Sequence, residues 1–247
     1  MAKTTIHGIH AVQTAIENDP SNIIQLWADT KSHHQRLMPV LELAQKKGMS
    51  VAYADGAQLE KLAKTRKHQN IVAEYTVPKN LTENDLWDLL ANLQETPFLL
   101  ILDEVTDPHN LGACLRTCEA AGVHAVVAPR DNAVGLTPTA RKVASGAAEL
   151  VPFIQVTNLA RTLQTLKDHG VWILGTSDKA RGDLFQQDLT MPVALVMGAE
   201  GKGMRRLTEK HCDILLSIPM AGQISSLNIS VATGVCLYEA VRQRRLA

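Results

Sequence analysis

Six short runs between Pro97 and Pro219, namely FLLILD, HAVVA, PFIQV, VWILG, VALVMG and ILLSIP, are apolar at nearly every position, and helix-like segments separate most of them. A strand with one wet face alternates apolar and polar residues, whereas an unbroken apolar strand is buried on both faces. Buried strands alternating with crossover helices predict an α/β fold in which helices cover a parallel sheet. Ligands of such sheets bind in the loops beyond the carboxyl ends of the strands, so the chemistry is sought there. Composition agrees, because a chain that is 45% hydrophobic but only 4% aromatic builds its core from Ala, Val, Ile and Leu.

At 247 residues the chain has room for a second domain. In the first 80 residues IIQLWAD, SHHQRLMPVLELAQKKG, SVAYAD, GAQLEKLAK and NIVAEYTV alternate strand-like and amphipathic character, which predicts a small α/β module. The helix around Leu37 to Ala44 is expected to stop at Gly48. PKNLTENDLWDLLANLQETP, bounded by prolines, contains Thr82 and Asp85 as a capping pair for one helix. The expected boundaries are an N-terminal domain over 1–77, a linker over 78–96 and a main domain over 97–247.

Net charge is zero, but residues 1 to 80 hold 10 Lys/Arg against 7 Asp/Glu while the remainder holds 15 against 18. That difference of +3 against −3 suits an RNA-docking module and equally suits solvated surface. Lys61, Lys64, Arg66 and Lys67 form the densest basic cluster and are candidate RNA contacts. Cys114, Cys118, Cys212 and Cys236 lack a CxxC pair, so they are expected to be reduced core thiols, with no metal. No apolar run approaches the roughly 20 residues of a membrane helix, and MAKTTIHGIHAVQ lacks a signal-peptide core, so a cytoplasmic protein without a membrane partner is expected.

Three loops carry the functional signal. In DEVTDPHNLGACLRTCEAAG, Pro108 stiffens the turn, Asn110 precedes a helix as its cap, Gly112 permits close approach, and Arg116 follows within about two turns. In GAEGKGM, Gly198, Gly201 and Gly203 surround Glu200 and Lys202; the spacing fits neither G-x-G-x-x-G nor a P-loop, which argues against a nicotinamide-dependent oxidoreductase. SIPMAGQISSLNISVATGVCLYEAVRQRR leaves a strand at Ile218 and is expected to enter a long helix near Ser226, with Ser225 or Ser226 as cap and Asn228 in its first turn.

At these loops the sequence resembles the SpoU family of SPOUT RNA 2'-O-methyltransferases. The motifs are matched by Asn110, Gly112 and Arg116, by Gly198, Glu200 and Gly201, and by Ser226 and Asn228, while IHGIHAVQTAI is similar to the opening of members with an N-terminal substrate-binding domain. DPHNLGACLRT, ASGAAELVP, LVMGAEGKGMRRLT and SLNISVATG look closest to members that methylate a guanosine ribose in the peptidyl-transferase region of 23S rRNA. Glu104, where a glycine is common, and Asn70 in HQN, where HQG is common, depart from the pattern.

The resemblance implies a C-terminal trefoil knot, a homodimer through the methyltransferase domain, and S-adenosylmethionine held by main chain around Met197, Gly198, Ile218, Met220 and Leu227, with Thr176 beside them. It also implies that Asn110, Glu200, Ser226 and Asn228 orient Arg116 and the target nucleotide. The family proposal makes arginine the base, yet arginine side chains stay protonated across the accessible pH range. A charged Arg116 that binds phosphate, with a phosphate oxygen or Glu200 taking the proton, is the alternative. The same chemistry on transfer RNA and a catalytically silent ribosome-assembly factor are the competing functions; the retained Arg116, Glu200 and Asn228 argue against the second.

Overall fold

The computed structural model describes residues 3–18, 20–29, 36–76, 81–199 and 201–246. The chain divides into two units, Met1–Lys79 and Asn80–Ala247. In the first, β1 (Lys3–His7), α1 (Ile9–Asn18), β2 (Ile23–Asp29), α2 (Met38–Lys46), β3 (Val51–Ala54), α3 (Gly56–Ala63) and β4 (Ile71–Thr76) form a four-stranded sheet in the order β1-β4-β2-β3. Only β2 and β3 run parallel; β4 is antiparallel to both β1 and β2. Val12 and Ile16 of α1 and Val40 and Ala44 of α2 pack on Leu26, Ile71 and Ala73 as one buried cluster. Strand β1 and helix α1 were not anticipated from the apolar pattern, because β1 is an edge strand whose first three residues are exposed.

The second unit opens with α4 (Glu83–Asn92), inside the segment read as a linker. The Asp85 carboxylate accepts from the Thr82 main-chain N–H and hydroxyl, both at 2.8 Å, which closes its first turn as the sequence suggested. Leu86 is fully buried against Leu99, Ile154 and Leu163, so from Leu81 this stretch packs as part of the second unit.

The main sheet is built from β5 (Phe98–Asp103), α5 (Pro108–Ala121), β6 (Ala125–Pro129), α6 (Pro138–Ala144), α7 (Ala147–Leu150), β7 (Phe153–Val156), α8 (Leu159–Asp168), β8 (Trp172–Thr176), β9 (Gly182–Asp183), β10 (Val193–Gly198), α9 (Arg206–His211), β11 (Ile214–Ser217) and α10 (Ile229–Arg244). Its order is β7-β6-β5-β10-β8-β11-β9, and every pairing is parallel, as the six apolar runs predict. The two-residue β9 had no sequence signal.

Alternate residues of one strand enter opposite cores. Leu100 and Leu102 pack with α5 and α10, whereas Leu99 and Ile101 pack with α4 and α8. That two-sided burial is the physical content of the unbroken apolar runs. The order also shows two insertions: β10 lies between β5 and β8, both earlier in the chain, and β11 lies between β8 and β9.

Candidate active site

The ends of β8, β10 and β11 converge on one cavity of about 340 Å³, lined among others by Thr176, Met197, Gly198, Ile218, Met220 and Leu227. All six residues assigned to the methyl donor therefore meet in one place, and Ser226 lines the same cavity. Its floor depends on Gly198, where an added Cβ would lie 2.2 Å from Met204 N and 2.3 Å from Gly203 C. Main chain cannot yield there as a flexible side chain could. Past Gly198 the chain turns back on itself: Ala199 N–H donates to Gly203 O at 3.1 Å, and Gly203 N–H donates to Ala199 O at 2.9 Å. The Thr176 hydroxyl donates to Val196 O at 3.2 Å, tying β8 to β10 beside the cavity.

A second tie was not anticipated. Asp103, the fully buried last residue of β5, accepts from Arg205 N–H and Nε at 2.8 Å each, and Arg205 Nη2 lies 2.7 Å from the same carboxylate. Burying a carboxylate is tolerable only with such multiple donors. The contact anchors the far end of the turn carrying Lys202 and Gly203. The available signal was an aspartate closing an otherwise apolar strand.

Helix α5 and helix α10 bring the first and third motifs together. Asn228 Nδ2 donates to Asn110 Oδ1 at 3.1 Å, joining residues 118 positions apart. Two capping expectations are corrected. Asp107, not Asn110, caps α5 by accepting from His109 N–H at 2.8 Å; Pro108 takes the first helical position and Asn110 lies inside the first turn, 9% exposed. Asn228, not Ser225 or Ser226, caps α10, its Oδ1 accepting from Ser230 N–H at 2.9 Å and from the Ser230 hydroxyl at 2.6 Å. One amide thus caps a helix with its oxygen and holds Asn110 with its nitrogen.

Gly112 lets α5 lie against α6, since a Cβ there would come 2.5 Å from Ala140 O. Asn110 lines a smaller neighbouring cavity of about 290 Å³ with Glu104, Val105, Thr106, Asp107, Ala199, Lys202 and Ile229. Arg116 is exposed on α5 and lines neither cavity. Glu200 lies outside the described residues.

Both departures from the family pattern fall where the main chain is left-handed, with φ of +61° at Glu104 and +65° at Asn70. Glycine is at home in that region, which gives a physical reason for its being common at both places. Glu104 is 3.6 Å from Arg205 Nη1.

In the first unit Lys61, Lys64, Arg66 and Lys67 are all exposed around the end of α3. Arg66 pairs with Glu60 at 3.0 Å, so part of the cluster's charge is offset. Burial pushes the Cys236 thiol up to about 12; burial, then the neighbouring Asp213, Glu209 and Asp103, does the same to Cys212. Such thiols are neutral packing groups rather than nucleophiles. Among the described residues no group of three or more His, Cys, Asp or Glu is placed to hold a metal.

Residues 97–238 match the SpoU rRNA Methylase family, and residues 5–81 match the RNA 2'-O ribose methyltransferase substrate binding family. The chain is 55% identical over 97% of its length to the 23S rRNA (guanosine-2'-O-)-methyltransferase RlmB of Photorhabdus laumondii, of which 98% is covered. It is 52% identical, with 97% of this chain and 98% of the relative covered, to the protein of that name from Escherichia coli K12. Among solved structures, the SpoU methyltransferase AviRb from Streptomyces viridochromogenes, in complex with AdoMet, shares the fold with a TM-score of 0.66 at 24% identity, covering 99% of this chain and 92% of that one. The A. aeolicus TrmH/SpoU tRNA modifying enzyme is 30% identical with a TM-score of 0.56, covering 66% of this chain and 83% of that one. With a family match over most of its second unit and relatives more than half identical along nearly its full length, the chain belongs to the SpoU rRNA methylase family.

Proposed function

We propose that the protein transfers a methyl group from S-adenosylmethionine to the 2'-oxygen of a guanosine in the peptidyl-transferase region of 23S rRNA. The observation that carries the reaction is geometric: Asn110 of the first motif loop, Gly198 and Gly201 of the second and Ser226 of the third line two adjoining cavities at the carboxyl ends of parallel strands. The donor cavity, about 340 Å³, falls in the usual range for small-molecule sites of roughly 300–1,000 Å³. A glycine-floored pocket bordered by a turn of main chain fits a donor held by main chain around Met197, Gly198, Ile218, Met220, Leu227 and Thr176. When bound, the donor supplies a methyl group already activated by its sulfonium. The rRNA target rests on relatives 51–55% identical along nearly the whole chain.

What the chain supplies is position and charge. Asn110, which lines the smaller cavity, is held by Asn228, and with Ser226 and Glu200 the pair orients the ribose so that its 2'-oxygen lies in line with the methyl group. Arg116, exposed and lining neither cavity, meets the RNA: it stays charged and holds a phosphate, while a phosphate oxygen or Glu200 takes the proton.

Residues 1–77 serve as the RNA reader through Lys61, Lys64, Arg66 and Lys67, and 97–247 carry the reaction, with α4 of the intervening 78–96 segment packed into the second unit. A homodimer through the second unit is supported by Val231 and Tyr238, each 51% exposed and seven positions apart on α10, so that they lie on one face. The insertion of β10 between earlier strands supports a C-terminal trefoil knot. The protein works in the cytoplasm; among the described residues no helix is long and apolar enough to cross a membrane.

Transfer of labelled methyl to protein-free 23S rRNA by wild type and Arg116→Ala, with the product nucleoside identified, tests the reading. Wild type should yield 2'-O-methylguanosine and Arg116→Ala almost none. The likeness to a tRNA modifying enzyme makes transfer RNA the second substrate to assay, and its labelling in place of rRNA would overturn the target while leaving the chemistry.

A further inference from the structure

Two cavities meet at the motif loops, and three described residues line both: Ala199, Lys202 and Ile229. Only Lys202 carries charge. It is exposed and makes no ion pair with any described residue. Resting on the proposed 2'-O-methylation, we infer that Lys202 is a positioning residue that holds the phosphodiester on the 3' side of the target ribose.

The argument is stereochemical. Methyl transfer requires the donor carbon and the ribose 2'-oxygen to lie about 3–3.5 Å apart in line, so the acceptor ribose must sit where the donor cavity opens into its neighbour. The 2'-oxygen and the 3'-phosphodiester are carried by adjacent carbons of one ring. Any cation at that boundary therefore reaches the 3'-phosphate. A lysine is suited to this, being a compact charge with three rotatable donors on a flexible stem.

The two carboxylates that line the smaller cavity with it are engaged by other residues. Glu104 is 3.6 Å from Arg205, and Asp107 is engaged with His109 through N–H at 2.8 Å and the ring at 3.1 Å. Lys179 lines the donor cavity alone, so it cannot substitute at the boundary. The turn fixes where the lysine starts: it lies between the reciprocal main-chain bonds of Ala199 and Gly203, and Asp103 anchors Arg205 just beyond.

The test uses the full-length protein with a 23S rRNA transcript and S-adenosylmethionine, measuring KM for each substrate, kcat, and the salt dependence of RNA binding for wild type, Lys202→Met and Lys202→Arg. Lys202→Met should raise KM for RNA about tenfold, leave KM for the donor within about twofold, and flatten the log–log salt slope by about 0.7–0.9, the amount for one phosphate. Lys202→Arg should restore most of the affinity and the slope. An unchanged RNA KM and slope would overturn the inference; so would a rise in donor KM alone, which would place the lysine on the donor's carboxylate. If wild type labels transfer RNA instead of rRNA, the proposed target fails, and the same comparison on that RNA still decides the role of Lys202.

Discussion

The rim of the second unit's sheet and the basic loop of the first unit are both candidate contact surfaces, yet they are built in opposite ways. At the rim, position is set by main chain and by side chains bonded to one another: Gly198 admits no Cβ, the fully buried Asp103 is held by Arg205, and Asn110 and Asn228 grip each other. Around the end of α3, Lys61, Lys64, Arg66 and Lys67 stand in solvent on flexible stems. The first surface specifies geometry and the second supplies charge, so single substitutions should be severe at one and mild at the other.

Gly198→Ala presses that contrast hardest. A methyl group 2.2 Å from main chain forces the turn to move, costing about 3 kcal/mol at the upper end for overpacking, and a displacement near 1 Å at the cavity lowers turnover at least about a hundredfold. Denaturant unfolding and methyl transfer check both; near-normal turnover would show that the rim is not rigid. Asn228→Ala should cost about 1–2 kcal/mol, from loss of a helix cap and of a partner for Asn110. Asn228→Asp keeps the cap oxygen but not the donor, so a variant that is stable and yet inactive would separate the two duties.

Neutralising Lys61, Lys64, Arg66 and Lys67 together should leave the melting temperature within about a degree, because exposed charges contribute little to stability. It should weaken RNA binding and reduce its salt slope by up to about 3, or roughly 0.7 for each phosphate released. Unchanged binding would remove the loop from the contact surface.

The smallest effect distinguishes two left-handed residues. Glu104→Gly relieves roughly 1–2 kcal/mol of steric cost while adding about 0.5–1 kcal/mol of unfolded-state entropy, so stability should rise by about 0.5–1 kcal/mol. Asn70→Gly should change it by less than about 0.5 kcal/mol, since asparagine already tolerates that conformation. A loss of stability in Glu104→Gly would mean that the contact with Arg205 outweighs the strain.

The same contrast explains what could be read from the sequence. The six main strands were legible because two-sided burial leaves an unbroken apolar record, and the Thr82–Asp85 capping pair because its spacing is local. Strand β1 left no such record, being an exposed edge. The caps of α5 and α10 were misassigned because Asp107, Asn110, Ser226 and Asn228 are all competent N-caps, and only the tertiary pairing of Asn110 with Asn228 selects among them. Asp103 and Lys202 went unassigned because their roles depend on Arg205, 102 positions away, and on the meeting of two cavities.

The placement of β10 has a consequence for synthesis. It pairs with β5 from 95 positions downstream, since Val193 lies opposite Phe98, and at about 5–20 residues per second roughly 5–20 s pass before the partner emerges. Throughout that interval one side of β5 offers unpaired amides and carbonyls to any other strand. A nascent chain therefore has no complete methyl-donor pocket until its last helix begins to emerge, and a chain cut short before β10 cannot methylate RNA and is prone to self-association.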